Sequence, residues 1–286
     1  MKAQFDQQLI SSFYLWFENQ LLSDSVIAYQ TGVSNSYEYI ETFDVPTNFV
    51  AYQGQYRQLV ADHDVPVPNS GIFINNSFVS AGQSGIYTDY NNGRIILPAS
   101  SGKTLTINSV STVKEVNTYL SNDSPEQILV ESDFMVDGEI IPNLYSQKEK
   151  LDENIYMLPA CFVFPLESEN QEFCFGGEED TKSRIRVMVL AKDNYTLDGI
   201  LSVFRDSARK CIPIIDYEDF PYGAFFSVKS FPYRYSTLIQ QSTQKSFIEK
   251  IIASRVGGGT DQAKLNKKTF RIGFLDFDIS TYRFPT

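Results

Sequence analysis

The stretch SGIYTDYNNGRIILPASSGKTLTINSVS, residues 84–111, alternates short runs of aromatic and β-branched residues with glycine, asparagine and serine. The apolar runs favour strands, and the polar residues between them favour turns. Asn92-Gly93 is typical of a two-residue hairpin turn, because both residues tolerate a positive φ. The stretch therefore predicts consecutive strands, with Gly102-Lys103 at the tip of a further hairpin.

Residues 102–104, Gly-Lys-Thr, also match the end of a phosphate-binding loop and raise the question of a nucleotide site. Such a loop needs a glycine five positions before Gly102, where this chain has Leu97, and it should open a helix. The residues that follow alternate between apolar and polar, as in a strand. We therefore expect a turn and no nucleotide cofactor.

The composition favours a mainly β protein that is not a nucleic-acid reader. Of the 286 residues 14% are aromatic, and the formal net charge is −11. Aromatic residues favour strands, and excess acid opposes binding to phosphates and to anionic membrane surfaces. We expect protein or carbohydrate partners, no membrane association and no sequence-specific binding of nucleic acid, while passive passage of DNA stays compatible with this charge.

Helical spacing of apolar residues interrupts this pattern in a few places. Phe5, Leu9, Phe13 and Phe17 share one face of an amphipathic N-terminal helix, and a second helix is predicted near 197–211. The second has Thr196 or Asp198 as its cap and ends at Pro213. Shorter helices are predicted at Pro125, leading into a strand, and over 244–253.

These elements predict an α+β fold, mainly β, with a sandwich-like or barrel-like core. The predicted division is an N-terminal helical arm and linker (1–45), a β-rich domain (46–136) and a second β-rich block (137–286). The second block contains the helix near 197–211 and a flexible loop, 255–268.

No group of residues indicates an enzyme. His63 is the single histidine, and in an extended chain its neighbours Asp62 and Asp64 point to the side opposite to the imidazole. We expect His63 to lie in an exposed loop. The three cysteines are widely spaced, which predicts free and mostly buried thiols and no metal site; they are Cys161, Cys174 and Cys211.

Three stretches resemble virion structural proteins of tailed bacteriophages. They are GIFINNSFVSAGQSGIYTDYNNGRIILP at 71–98, YLWFENQLLSDSVIAY at 14–29 and VKEVNTYLSNDSPEQILVE at 113–131. The resemblance implies a non-enzymatic neck, connector or tail subunit. Such a subunit is assembled in the host cytoplasm, resides in the virion, and binds copies of itself and other virion proteins. The alternative is a receptor-binding or glycan-binding β-sandwich, in which loop aromatics stack on sugars.

Three sets of residues are candidate interaction sites. The stripe Phe5, Leu9, Phe13 and Phe17 packs either on its own β-domain or on a neighbouring subunit. The second set is expected to order against an acidic surface of a neighbour, or else to be a disordered surface loop; it comprises Gly257, Gly258, Gly259, Lys264, Lys267 and Lys268. The acids Glu178, Glu179 and Asp180 are expected in a loop that faces either a DNA channel or the outer solvent.

Overall fold

The structure is a computed structural model that describes residues 5–23, 28–42, 45–56, 58–65, 71–80, 85–136, 139–141, 155–174, 176–221, 233–256 and 270–284. The α-helices of these residues are α1 (Phe5–Leu22), α2 (Pro125–Glu131), α3 (Asn194–Arg205) and α4 (Tyr235–Gln241). The strands are β1 (Tyr29–Ile40), β2 (Phe49–Gly54), β3 (Gly71–Ile74), β4 (Ser77–Ser80), β5 (Tyr87–Asp89), β6 (Arg94–Pro98), β7 (Ile107–Lys114), β8 (Asn117–Leu120), β9 (Asp133–Val136), β10 (Glu139–Ile141), β11 (Ile155–Met157), β12 (Ala160–Glu172), β13 (Glu179–Ala191), β14 (Cys211–Ile214), β15 (Gln244–Arg255) and β16 (Arg271–Arg283). The predicted class, mainly β with an N-terminal helix, is confirmed.

The chain packs as two compact units, and neither is continuous in sequence. Unit 1 comprises Met1–Leu21, Val116–Tyr217 and Gln241–Thr286, and unit 2 comprises Leu22–Glu115 and Glu218–Gln240. The predicted division into 1–45, 46–136 and 137–286 is contiguous by contrast. The difference arises because α1 packs with strands that lie more than a hundred residues later, as Phe13 does with Phe277.

Unit 1 is built on a six-stranded sheet in the order β14-β15-β16-β13-β12-β8. The strands β12, β13 and β16 have thirteen residues each and pair antiparallel, whereas β8 joins β12 in parallel. A second sheet, β10-β9-β11, belongs to the same unit.

Aromatic stacking fixes α1 and α3 to one face of the six-stranded sheet. Phe17 of α1 lies flat on Phe204 of α3, with ring centroids 4.0 Å apart and planes at 4°. Phe13 meets Phe277 of β16 edge to face at 5.0 Å. Gly273 of β16 allows α3 this close, because a Cβ there would stand 2.9 Å from a methyl group of Leu197.

The opposite face of the sheet carries a second apolar cluster. Successive strand residues point to opposite faces, so Phe162 and Met188 lie away from the helices. They pack with Phe134 of β9 and with Phe270. The six-stranded sheet is therefore the middle layer of unit 1 over this part of its length.

Unit 2 is built on a seven-stranded sheet in the order β4-β3-β7-β1-β2-β6-β5, in which every neighbouring pair is antiparallel. Its apolar cluster includes Tyr37, Tyr52, Ile72, Ile95 and Leu97. At one edge the buried carboxylate of Asp89 accepts from Nε and Nη2 of Arg94 at 3.1 and 2.8 Å. This ion pair closes the β5–β6 hairpin.

Several predicted helices are present, but their bounds or capping residues differ from the prediction. The N-terminal helix and the helix at Pro125 followed by a strand are present. The internal helix runs over Asn194–Arg205, and its cap is Asp193, which accepts from the amide of Thr196 at 2.8 Å. Pro213 lies in β14 and therefore does not end that helix.

Three local predictions are wrong. Residues 244–253 form strand β15 instead of a helix, because pairing to β14 and β16 overrides the local spacing. Gly102-Lys103 is not a hairpin tip, since β6 pairs with β2 and β7 with β1. Asp89 pairs with Arg94, so the loop that contains Asn92-Gly93 has four residues, 90–93, instead of two.

We predict that Phe17→Ala destabilises the protein by about 3–5 kcal/mol, because it removes a buried ring and leaves a cavity against Phe204. Urea denaturation followed by far-UV circular dichroism measures the loss. Tyr195→Ala on α3 is the matched control, since that ring is 90% exposed and its removal should cost less than about 0.5 kcal/mol. Equal losses in both variants would contradict the packing described.

Candidate interaction surfaces

The predicted interface stripe of α1 lies within the core of unit 1. Leu9, Phe13 and Phe17 are buried against the chain's own sheet and α3. Phe5 is half-buried, with the Arg283 guanidinium 4.3 Å from its ring centroid. The first of the two alternatives, packing on the chain's own β-structure, therefore holds for these side chains. The helix is also buried all round over 12–18, so it is not amphipathic there.

The second predicted site lies outside the described residues. Gly257, Gly258, Gly259, Lys264, Lys267 and Lys268 all fall between Val256 and Phe270, where the described part of the chain has a gap. Their docking against an acidic surface stays a prediction.

The three predicted channel acids do not form a solvated loop. Glu179 and Asp180 are the first residues of β13 and, as neighbours in a strand, point to opposite faces. Asp180 is buried and accepts a hydrogen bond from the Ser280 hydroxyl. Glu178 is half-buried and accepts from the Cys174 thiol at 3.7 Å. Geometry therefore prevents all three from facing one channel.

Exposed aromatic rings lie at the same end of the sheet as these acids, where Asp180 pairs with Tyr282 across β13 and β16, and they define what we call the tip surface of unit 1. It comprises Phe173, Tyr282 and Phe284, of which Phe173 and Tyr282 lie 4.6 Å apart between ring centroids. The backbone amide of Phe173 donates to the Glu178 carbonyl at 3.1 Å. The tip surface therefore places two exposed rings, tilted at 52° to each other, at the strand ends that carry these acids.

A polar cleft of about 420 Å³ lies farther along the same strands. Its lining residues are Glu167, Ser168, Glu169, Lys182, Ser183, Arg184, Glu249, Asp278 and Ile279. Arg184 bridges Asp278 at 2.9 Å and Glu167 at 2.8 Å, and these two carboxylates raise the pKa of the guanidinium. These ion pairs form a charge ladder across three strands. Two carboxylates of the cleft, Glu167 and Asp278, are thus paired with the Arg184 guanidinium.

Unit 2 carries an exposed hairpin at one edge of its sheet, formed by β3 and β4, which we call the edge hairpin. Asn75 and Asn76 form its turn with φ of 47° and 66°, as a two-residue type I′ turn requires. Phe78 is 54% exposed and Phe73 is 39% exposed, with ring centroids 5.4 Å apart. Among the described residues β4 pairs only with β3.

The sequence around the edge hairpin has no charge. Between Asp64 and Asp89 there is no Asp, Glu, Lys or Arg, although charged residues make up 21% of the chain. Charges on an edge strand normally prevent it from pairing with another molecule. The sequence prediction missed this surface, although the sequence contains two signals for it: the uncharged run and the Asn75-Asn76 pair.

His63 lies in a turn and is half-buried, not exposed as predicted. Its amide donates to the Tyr233 carbonyl at 2.7 Å, and the neighbouring Asp62 accepts from the amide of Tyr235. Asp64 accepts from the amide and hydroxyl of Ser236 at 2.6 and 2.9 Å. These contacts attach the start of α4 to the segment 62–64, so the two aspartates have a structural role.

The described cysteines are free, as predicted, but only one of them is buried. Burial raises the pKa of the Cys161 thiol, whereas Cys174 and Cys211 are exposed. Within the described ranges, no three His, Cys, Asp or Glu side chains lie close enough to hold a metal ion. In the same ranges, each helix is too short or too polar to cross a lipid bilayer.

No protein-family model matches the chain, and no curated protein is significantly similar to it.

We predict that His63 makes the protein less stable as the pH falls from 7.5 to 5.5. Burial lowers the His63 pKa below its usual 6.5, and the Arg234 charge lowers it further while Asp64 opposes them. The folded state therefore binds fewer protons than the unfolded state, so this contribution is present above about pH 6.5 and is lost below it. Thermal unfolding at both pH values, with His63→Gln for comparison, measures the effect. An equal fall in Tm for both proteins would contradict the assignment.

Proposed function

We propose that the protein is a non-enzymatic structural subunit of a tailed-phage virion that forms an oligomeric ring or adaptor in the neck or tail. It would be assembled in the host cytoplasm from copies of itself and other virion proteins, and would reside in the virion. The phage assignment comes from the resemblance of residues 14–29, 71–98 and 113–131. The assembly role also has support in the geometry of both units.

The edge hairpin is the observation that supports assembly best. An open sheet edge exposes backbone donors and acceptors that another chain can pair with, and soluble monomers usually block such an edge with charge or proline. Here the edge strand has neither within Ser77–Ser80, and its ring of Phe78 is more than half exposed. A subunit that becomes fully paired only in an oligomer would have this surface.

The polar groups also favour a structural role over catalysis. The segment of the single histidine attaches to α4, and the cleft carboxylates Glu167 and Asp278 are bound to Arg184. A catalytic acid or base has to reach a substrate, and these two carboxylates already have a cation as partner.

Negative-stain electron microscopy of the purified protein tests the assembly role. We expect closed rings of uniform diameter, because one heterologous interface repeated with a closing rotation builds a ring. Particles that stay monomeric, or dimeric without rings, would contradict the ring.

The alternative function, a glycan-binding sandwich, is favoured by one observation: the tip surface places two exposed rings, Phe173 and Tyr282, beside carboxylates. Such rings stack on sugars. A glycan array on the same preparation separates the two functions. Monomers that bind a sugar, and lose it in Phe173→Ala, would support the alternative.

If DNA passes through the ring, Glu178 is the predicted acid best placed to repel it. Asp180 is buried and bound to Ser280, and one carboxylate oxygen of Glu179 is buried. We predict that particles assembled with Glu178→Lys release DNA more slowly, most of all at low salt, because a cation in the wall attracts phosphates. Glu115→Lys is the control of equal charge change at an exposed site. If the rate of DNA release is unchanged at every salt concentration, Glu178 does not face the channel.

A further inference from the structure

We propose that two copies of this chain associate through strand β4, which pairs antiparallel with β4 of the second copy about a two-fold axis at Val79. The proposal specifies the partner, the register and the hydrogen bonds. It deepens the assembly role proposed above and rests on that role only for its biological setting.

The hydrogen-bond pattern of the edge hairpin determines which backbone groups of β4 point away from β3. In a two-residue hairpin the residues that flank the turn, Ile74 and Ser77, exchange hydrogen bonds, and the pattern then alternates along the strands. Val79 therefore bonds to β3, and the N–H and C=O groups of Phe78 and Ser80 point outward. Phe73, which lies opposite Phe78, correspondingly pairs on its other side with β7.

Those outward groups are self-complementary. With a two-fold axis at Val79, Phe78 of each copy lies opposite Ser80 of the other, and each such pair exchanges two backbone hydrogen bonds. Four hydrogen bonds form, and all four outward groups of Phe78 and Ser80 are satisfied in each copy. Val79 meets the second Val79 at the axis as a pair without hydrogen bonds.

The side chains on the exposed face fit the same register. Phe78 and Ser80 project to one face of the sheet, so each Phe78 ring lies beside a small serine of the other copy. The two Phe78 rings become diagonal neighbours about 7–8 Å apart, which is within reach of aromatic side chains. Association would thus cover rings that are now more than half exposed.

Charge favours a second copy as the partner. Two copies, each with a net charge of −11, repel each other over most of their surfaces. The run from Val65 to Thr88 contains no charged residue, so like copies approach there without placing equal charges opposite each other. A positively charged partner, by contrast, would find no carboxylate in this run with which to form an ion pair.

Strand direction selects the two-fold arrangement over a head-to-tail one. All neighbouring strands of the seven-stranded sheet are antiparallel, so the edge strands β4 and β5 run in the same direction. Joining β4 of one copy to β5 of the next, with the same sheet face on the same side, would give a short parallel pair, which is less stable per residue. The two-fold contact makes dimers, and a ring then needs a second, heterologous interface.

Sedimentation velocity over a range of concentrations tests the association. We expect the dissociation constant of the dimer to rise at least tenfold in Phe78→Lys, which puts a charge on the edge, and in Ser80→Pro, which removes an outward donor but none that bonds to β3. Val110→Lys is the matched control, because Val110 is 53% exposed on the same sheet but lies on the inner strand β7. A monomeric wild type, or equal weakening by Val110→Lys, would overturn the proposal.

A cross-link tests the register directly. In a background of Cys174→Ser and Cys211→Ser, which removes the exposed thiols, Val79→Cys should oxidise to a covalent dimer, since paired residues without hydrogen bonds have Cα atoms about 4.5 Å apart. Ser77→Cys should not, because its two copies would lie about 14 Å apart along the strands. Equal cross-linking by both variants, or none by Val79→Cys, would overturn the register. Rings are scored separately, so a cross-linked dimer without rings would refute the ring and leave the strand pairing intact.

Discussion

The flat stacking of Phe17 on Phe204 is the contact on which the rest of unit 1 depends. It joins the first helix of the chain to α3, and Phe13 extends the contact to Phe277 in β16. Because these rings are fully buried, the position of α1 is set by the sheet and not by the local sequence. The same packing makes the N-terminal helix part of the core and leaves the edges and tips of the sheets as the surfaces available to partners.

The exposed surfaces of the two units differ in their charge. In unit 1 the outward face of the long strands is crossed by alternating charges, with Arg184 between Glu167 and Asp278, and such a ladder keeps a sheet face in solvent. In unit 2 the edge hairpin has no charge at all, and strand alternation places its two rings on the sheet face opposite to the buried Ile72. An acidic chain thus keeps one surface where contact with another protein is not penalised by charge. This contrast is the physical basis for proposing assembly instead of catalysis.

The sequence predicted elements well where the signal was local. The helix spacing of Phe5, Leu9, Phe13 and Phe17 located α1, because period 3.6 over five turns has no competing interpretation. The spacing could not tell which molecule covers that face, since core and interface use the same residues. Residues 244–253 were misassigned because strand pairing on both sides decided their conformation. The role of the acids at 178–180 depended on the Ser280 hydroxyl, a hundred residues away, which no local pattern shows.

The position of β16 has a consequence for the order in which the protein forms. This strand follows β15 in the chain but lies between β15 and β13, where it pairs along all thirteen of its residues with β13. Until β16 has left the ribosome, β13 and β15 each present a long unpaired edge, and the ring of Phe277 is missing from beneath α1. Contacts this distant in sequence make folding slow, and strand edges that are still unpaired can form non-native pairs or aggregate. Unit 1 therefore completes its six-stranded sheet only after β16 has been synthesised, because this one strand fills the gap between β13 and β15.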